Sequence, residues 1–156
     1  MMEAMDAGAL VARAHLRDLD ALVPLFDAYR RFYGEPADRD GARRFLEERL
    51  RRADSVIFLA RGDPGDAFAG FAQLYPSFSS ISLKRLWILN DLFVDPAARG
   101  RGVARGLLQR ARALAVATGA KGLTLATAVD NTTARALYEA CGWQRDEAFV
   151  HYDLWI

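Results

Sequence analysis

The segment from Leu92 to Arg105 is the feature that most constrains how this chain can fold. It starts as an apolar strand, turns at an Asp-Pro pair, passes through a loop containing Gly100 and Gly102, and opens a helix. Positions 97–129 contain six basic residues and no acidic one, although helix starts usually carry acids that complement the helix dipole. A glycine-rich backbone can turn its N–H groups toward an anion. The segment therefore predicts a phosphate-binding loop.

The overall composition indicates one globular domain and excludes several kinds of partner. The chain has 156 residues, of which 52% are hydrophobic and 26% are charged. That is enough apolar material to bury a core and too much for a disordered chain, so we predict a single domain over residues 1–156. A net charge of +1 argues against general attraction to nucleic acid or a membrane surface. We expect neither as a partner, and we treat the basic loop as a local feature.

Cysteine usage and the start of the chain bear on location and metal binding. Cys141 is the single cysteine, which excludes an internal disulfide and a cysteine-built metal site. No spacing of His, Asp and Glu resembles a metal site either. The first ten residues lack the basic and then apolar layout of a secretory signal, and no apolar run approaches the roughly 18 residues of a membrane span. We expect a cytoplasmic protein without a bound metal.

The hydrophobic periodicity predicts the element order β-α-α-β-β-β-α-β-α-β-β, a mixed α/β domain with about seven strands and helices covering the sheet. The predicted strands are Ala9–His15, Ser55–Arg61, Ala67–Tyr75 (broken at Pro76), Leu86–Val94, Gly122–Val129 and a final hairpin over Trp143–Ile156. The predicted helices start at Asp18 or Asp20, at Asp38 or Asp40, near Gly102 and at Asp130 or Asn131, and they end at Gly34-Glu35-Pro36, before Ser55, near Thr118 and near Cys141-Gly142.

The glycine loop on its own fits several kinds of site. A nucleotide-binding P-loop is excluded because its glycine-lysine motif occurs nowhere in the chain. A dinucleotide-binding loop would need a third glycine where Arg105 stands, followed by an acid about 20 residues later, and both are missing. A tight turn with solvated arginines remains an alternative for the loop taken alone.

Two motifs in order carry a resemblance to a known family. The first is Arg99-x-x-Gly102-x-Ala104, and the second runs Asn131-x-x-Ala134-x-x-Leu137-Tyr138 and ends at Gly142-Trp143. Together they resemble the two signatures of the GNAT superfamily of N-acetyltransferases, and the specific match covers residues 88–143. The strand ahead of the loop is closest in pattern to the polyamine- and histone-acetyltransferase-like branch. The resemblance implies a central mixed sheet in which two parallel strands splay apart.

The resemblance implies acetyl-CoA as co-substrate, lying between the strand that ends at Val94 and the strand Gly122–Ala128. Strand backbone would hold the pantetheine arm, and the loop amides would hold the pyrophosphate. Each arginine has a solvated side chain as its alternative role, and Asn131 has simple helix capping. The residues implied to bind acetyl-CoA are Leu92, Phe93, Val94, Arg99, Gly100, Arg101, Gly102, Val103, Ala104, Arg105, Asn131, Ala134 and Tyr138.

The resemblance also implies direct acetyl transfer to an amine without an acyl-enzyme. Tyr138 matches the family tyrosine that protonates the departing CoA thiolate, and a phenol stays protonated at neutral pH. Asp91 is the candidate that binds the substrate amine or accepts its proton through water, because a carboxylate inside an apolar strand is costly without a purpose. The alternatives are a tyrosine packed on the sheet and a structural aspartate satisfied by backbone donors.

The acceptor amine is the open part of the sequence-based interpretation. Polyamine acetyltransferases carry an additional acid where this chain has Asn90, so a single amine on a small molecule or peptide is at least as plausible an acceptor as a polyamine. By analogy the acceptor pocket is lined by Tyr29, Tyr33, Glu35, residues 75–80 (starting at Tyr75) and Asn90. Core packing is the alternative for the tyrosines, and it is favoured for Tyr29. An acyl-CoA sensor without turnover and a protein lysine or N-terminal acetyltransferase are alternative functions. A homodimer is the expected assembly.

Overall fold

The computed structural model describes residues 10–156 of the chain. Five strands form one open sheet in the spatial order β1-β2-β3-β4-β5, with antiparallel neighbours from β1 to β4 and a parallel pair β4–β5. The predicted mixed α/β fold is therefore confirmed. The strands are β1 (Leu10–Arg13), β2 (Val56–Arg61), β3 (Gly70–Ser79), β4 (Lys84–Val94) and β5 (Gly122–Thr124); the helices are α1 (Leu19–Phe32), α2 (Arg39–Arg52), α3 (Val103–Ala117) and α4 (Thr132–Ala140).

The described residues form two compact units, one ending at Ala126 and the other spanning Thr127–Ile156. The first unit contains the sheet with α1, α2 and α3, and the second contains α4 and the residues that follow it. The single domain expected over residues 1–156 stays a prediction.

Helices cover both faces of the sheet. On one face the apolar sides of α1 and α2 pack against Ile57, Leu59, Phe71 and Phe93 in one buried cluster. Side chains alternate along a strand, so Phe58 points to the opposite face, where the guanidinium carbon of Arg110 in α3 lies 4.8 Å from the centre of its ring. Because helices pack on both faces, β2 is buried along nearly its whole length, and its sequence is a nearly continuous apolar run.

Over residues 10–156 the sheet has five strands, so the prediction of about seven was wrong. Residues 143–156 form no strand, although their sequence alternates well enough to predict a hairpin. A strand needs a hydrogen-bonded neighbour as well as alternation, and this stretch has no ladder. For the same reason β5 stops at Thr124 instead of reaching Val129, because its pairing with β4 covers only three residues.

Two further boundaries differ from the sequence-based prediction. The strand β3 runs through Pro76, which pairs with Trp87 of β4, because the pairing with β2 has already ended at Leu74. At Pro76 the strand thus has one neighbour, and proline is tolerated at such a local edge. Ala9, the predicted start of the first strand, lies outside the described residues, and β1 ends at Arg13.

A bulge in β4 determines which face its side chains occupy. Gln73 pairs with Asp91, but the next residue of β3, Leu74, pairs with Leu89, so Asn90 is an extra residue without a partner. Such an inserted residue shifts the alternation of the strand. Because cross-strand partners share a face, Asp91 lies on the face of Gln73, while Leu89 lies on the opposite face with Leu74.

Candidate active site

Asp91 is a buried carboxyl group with three hydrogen-bond donors. Asp91 is only 5% exposed to solvent. Gln73 Nε2 donates to Oδ2 at 2.7 Å, Asn90 Nδ2 donates to Oδ1 at 3.0 Å, and the Tyr29 hydroxyl donates as well. Burial raises the pKa of Asp91, while the hydrogen bonds from Gln73, Tyr29 and Asn90 oppose that rise. The result is a carboxylate that is held in place and binds a proton more readily than a surface aspartate.

A second buried pair stands behind Asp91. Gln73 is 0% exposed and Ser55 is 6% exposed, and Ser55 Oγ donates to Gln73 Oε1 at 2.9 Å. Sequence reasoning missed Gln73 and Ser55 and assigned Tyr29 to core packing. The available signal was a glutamine within the apolar run of β3, at the position that the strand pairing places opposite Asp91.

Aromatic rings surround the carboxyl group. The Tyr29 ring contacts Tyr33 edge-on at a centroid distance of 5.1 Å and Phe71 at 5.6 Å. Burial, and then the charge of Asp91, raises the pKa of Tyr29 well above its usual range and that of Tyr75 to about 12. Both phenols therefore remain protonated at neutral pH and present O–H donors near Asp91.

The predicted pocket residues divide into two groups. Asn90 and Tyr75 interact with Asp91 directly or through its field, and Tyr33 lies against Tyr29 with 55% of its surface exposed. Glu35 instead faces Arg30, with 3.8 Å between its carboxylate and the guanidinium. The structure thus brings the Asp91 carboxylate together with Tyr29 and Tyr75, and the charge of Asp54 also acts on Tyr75.

The backbone of β4 runs beyond its parallel partner. Pairing with β5 joins Leu86–Ile88 to Gly122–Thr124, and β4 continues to Val94. Leu92, Phe93 and Val94 therefore lie past the last β4–β5 pair, the arrangement that a splayed pair of parallel strands predicts. Val94 leaves its carbonyl oxygen to accept a bond from Arg99 Nε at 3.3 Å.

The loop after β4 requires its two glycines. Gly100 has φ +76° and Gly102 has φ +78°, values in the left-handed region that other residues adopt only with strain. α3 then starts at the buried Val103, followed by Ala104 and Arg105, with no side-chain cap from Gly102 and no acid in its first turn. The first N–H groups of a helix lack acceptors within the helix, so this loop and helix start offer donors and a positive dipole end to an anion.

Arg99 and Arg101, both predicted to bind phosphate, contact neighbouring groups of the protein. Arg101 pairs with Asp63 at 2.7 Å and with Asp66 at 3.6 Å, both in the turn between β2 and β3. Arg99 bonds the Val94 carbonyl, and its guanidinium lies 5.9 Å from the centre of the Phe32 ring. These contacts fix the side chains of the two arginines to neighbouring parts of the chain.

The second motif forms one helix in the C-terminal unit. Asn131 caps α4 with its side-chain oxygen, which accepts from the Ala134 N–H at 3.3 Å. Tyr138 lies in the same helix, and its ring centre is 6.1 Å from that of Trp143. The capping role expected as the alternative for Asn131 is thus observed for its oxygen.

Residues 10–156 contain neither a candidate metal cluster nor a candidate membrane-spanning helix. Within that range no group of three or more His, Cys, Asp or Glu side chains is arranged to hold a metal ion. No helix of the described chain is long and apolar enough to cross a membrane.

Most of the described sequence matches the model of one protein family. The model of the acetyltransferase (GNAT) family matches residues 22–143. The chain belongs to this family. GNAT acetyltransferases take acetyl-CoA as donor, and the left-handed glycines and the uncapped start of α3 in this chain fit a pyrophosphate.

Individual relatives agree with the family assignment. The chain is 48% identical to the uncharacterized N-acetyltransferase YhfO of Bacillus subtilis (strain 168) over 144 residues, which are 92% of this chain and 95% of the relative. A crystal structure of a probable acetyltransferase superposes with a TM-score of 0.89 at 49% identity, covering 94% of this chain and 97% of the other. The bovine (Bos taurus) thialysine N-epsilon-acetyltransferase is 32% identical over 89 residues, 56% of this chain and 52% of that protein.

Proposed function

We propose that this chain moves an acetyl group from acetyl-CoA directly to a primary amine of a small molecule or peptide. The observation that carries the proposal is the buried carboxyl group of Asp91, which stands immediately before the strand segment Leu92–Val94. A carboxylate there would meet an amine at the point where the family holds the thioester. Its burial would make the attraction to an ammonium group stronger than at the surface.

The donor would be held by backbone more than by side chains. Leu92, Phe93 and Val94 offer main-chain groups to the pantetheine arm, and the Gly100–Arg105 backbone offers N–H groups to the pyrophosphate. Arg101 is paired with two carboxylates, so its charge contributes less to the phosphates than its backbone does. The family resemblance also assigns Asn131, Ala134 and Tyr138 a role in binding acetyl-CoA.

Asp91 would bind the acceptor and take up its proton. An ionised carboxylate has about four lone-pair sites, and three donors already bond to Asp91, which leaves a site for an ammonium group or a water. The amine must lose a proton before it can attack, and the raised pKa of Asp91 favours proton acceptance. The new C–N bond then forms as the C–S bond breaks.

Tyr138 would supply the proton that the departing thiolate takes up. The hydroxyl of a tyrosine can donate at neutral pH and can be reprotonated from water. Direct transfer of this kind needs no nucleophilic side chain on the protein, and Cys141, near the end of α4, is not required for the reaction.

The acceptor would carry one amine near Asp91 and a body that packs on aromatic rings. Glu35 is turned to Arg30, Asp54 is paired with Arg49, and Asn90 stands in place of a second acid. Asp91, whose three donors are neutral, is then the carboxylate that would meet the acceptor, which favours one ammonium group over the several of a polyamine. The rings of Tyr29, Tyr33 and Tyr75 can contact a cation and an alkyl chain. The similarity to a thialysine N-epsilon-acetyltransferase supports an amine at the end of such a chain.

An acceptor screen with acetyl-CoA tests this function. We expect thiol release to accelerate with single primary amines, including lysine-like compounds and short peptides, more than with polyamines. Tyr138→Phe and Asp91→Asn should each lower kcat/KM by roughly 100-fold or more, the usual contribution of a general acid or base. Tyr152→Phe, at an exposed tyrosine, is the matched control and should leave the rate unchanged. Tight CoA binding with no amine-dependent release would overturn the proposal in favour of a sensor.

A further inference from the structure

A hydrogen-bonded network of buried polar side chains extends across three neighbouring strands and ends at the Asp91 carboxylate. Ser55 stands just before β2, Gln73 lies in β3 and Asp91 lies in β4. Ser55 Oγ donates to Gln73 Oε1 at 2.9 Å, and Gln73 Nε2 donates to Asp91 Oδ2 at 2.7 Å. All three residues are at most 6% exposed, so water does not replace these bonds freely.

Burying this network costs free energy unless every hydrogen bond in it is formed. Gln73 lies on the sheet face where Ile57, Phe71 and Phe93 form an apolar cluster, and an aliphatic side chain of similar size would fill the same space. Burying an amide or hydroxyl is unfavourable without a hydrogen bond. No buried side-chain nitrogen or oxygen within the described residues lacks a partner, so the network is complete as it stands.

The chemistry of the three groups fixes the direction of each bond. An ionised carboxylate can only accept, so Gln73 must present its NH2 group to Asp91. Its Oε1 then faces Ser55, whose hydroxyl donates to it. With Ser55 absent, the amide loses the partner that keeps Oε1 away from the carboxylate. Ser55 therefore controls the orientation of Gln73, and Gln73 controls one oxygen of Asp91.

We propose that Gln73 and Ser55 are positioning residues that hold the Asp91 carboxylate in one orientation, so that its remaining lone pair has a fixed direction for the acceptor amine. The role rests on the proposed function of Asp91. Without this support, the carboxylate would keep its bonds to Asn90 and Tyr29 and could rotate about them. Neither positioning residue needs to touch the substrate.

The titration of Asp91 can report whether Gln73 and Ser55 hold its carboxylate, because of the groups that surround it. Tyr29 of α1, Gln73 and Tyr75 of β3 and Asn90 of β4 act on Asp91 or feel its charge, and Arg49 of α2 and Asp54 act on Tyr75. The pKa of Tyr75 is about 12 and that of Tyr29 is raised as well. The three side chains that bond to Asp91 are an amide, a phenol and an amide, so in the acidic range the charge change among these bonded groups is that of Asp91.

Carbon-13 NMR of protein labelled at the aspartate carboxyl carbon tests the proposal without relying on turnover. The Asp91 resonance is assigned with Asp91→Asn. Gln73→Leu removes the strongest of the three opposing hydrogen bonds, so the pKa of Asp91 should rise, and Ser55→Ala should raise it in the same direction by less. Ser55→Thr keeps the hydroxyl and should restore the wild-type titration. Leu74→Val, a core change on the opposite face, should lower the melting temperature and leave the titration unchanged.

Kinetics on the same variants separates positioning from packing. We expect Gln73→Leu to lower kcat/KM at neutral pH by roughly 10- to 100-fold, the factor that losing one hydrogen bond to a charged group corresponds to, with the acidic limb of the profile moved to higher pH. An Asp91 titration identical in wild type and Gln73→Leu overturns the proposal. Full activity of Asp91→Asn would instead overturn the proposed function of Asp91, whatever the NMR titration shows.

Discussion

At the scale of single residues, Asp91 is the group whose cost is hardest to explain by folding alone. Burial raises its pKa, and three hydrogen bonds from neighbouring side chains offset only part of that effect. A buried charge usually adds less stability than a well-packed apolar side chain in the same place. Sites where a chain departs from the choice that stability favours tend to be functional sites.

We expect Asp91 to make folding less favourable as the pH rises. Its pKa in the folded chain lies above the ordinary 3.8, so between those two values the folded state binds more protons than the unfolded state. The stabilising contribution is thus complete below the ordinary pKa and is lost as the pH rises through the raised one. Urea unfolding of wild type and Asp91→Asn from about pH 4 to about pH 8 measures it.

In that experiment, the free energy of unfolding of wild type minus that of Asp91→Asn should fall with rising pH. The variant lacks the titrating group, so it corrects for all other carboxylates. A difference that is flat or rises with pH would mean that Asp91 is not a carboxyl group with a raised pKa.

At the scale of elements, the loop between β4 and α3 combines an unusual backbone conformation with an unneutralised helix dipole. The left-handed conformations of Gly100 and Gly102 turn the chain so that α3 starts directly behind the loop. The absence of acids in the first turn leaves the helix dipole available to a ligand. The loop thus has both of the features from which the sequence predicted a phosphate-binding loop.

Gly102→Ala should lower stability and weaken CoA binding together. A left-handed conformation costs a residue with a side chain about 1–2 kcal/mol, and relieving that strain would turn the loop amides away from a phosphate. Gly119→Ala, at another left-handed glycine whose added Cβ also meets open space, is the matched control and should lower stability without changing CoA affinity. Calorimetric titration with CoA and urea unfolding measure both effects. Wild-type CoA affinity in a destabilised Gly102→Ala would show that the loop does not hold the phosphates.

The sequence was most informative where local chemistry decides the structure. The Asp95 turn, the glycine loop and the helix from Val103 follow from residue types in order, and the Asn131 cap was one of two predicted helix starts. Strand number was predicted wrongly because it depends on which backbones meet. Gln73 was missed for the same reason: its meaning comes from its partner across the sheet, Asp91, which periodicity along one strand does not show.

At the scale of the whole molecule, the C-terminal residues carry apolar side chains on their surface. Phe149, Tyr152, Leu154 and Trp155 are each at least 77% exposed. Neighbouring exposed apolar side chains of this size mark interaction surfaces in many proteins. The homodimer that the family resemblance implies stays a prediction, and these residues are where we expect it to form.

Light scattering after size-exclusion chromatography tests that assembly. We expect wild type to elute as a dimer, and Leu154→Ser with Trp155→Ser to shift the protein toward monomer. Ile81→Ser, at an equally exposed apolar residue in the turn between β3 and β4, is the control and should leave the mass unchanged. A monomeric wild type, or a dimer that withstands the double change, would contradict the assignment of this surface.

The extra residue in β4 makes one donor of the site depend on the count of residues. If Asn90 were deleted, Leu89 and Asp91 would become neighbours, and regular alternation would keep them opposite Leu74 and Gln73 on the faces that they occupy now. The strand would lose only the side-chain amide that bonds to Asp91 Oδ1. A gene can therefore add or remove this donor beside the carboxylate by gaining or losing a single codon, without turning any other side chain of the strand to the other side of the sheet.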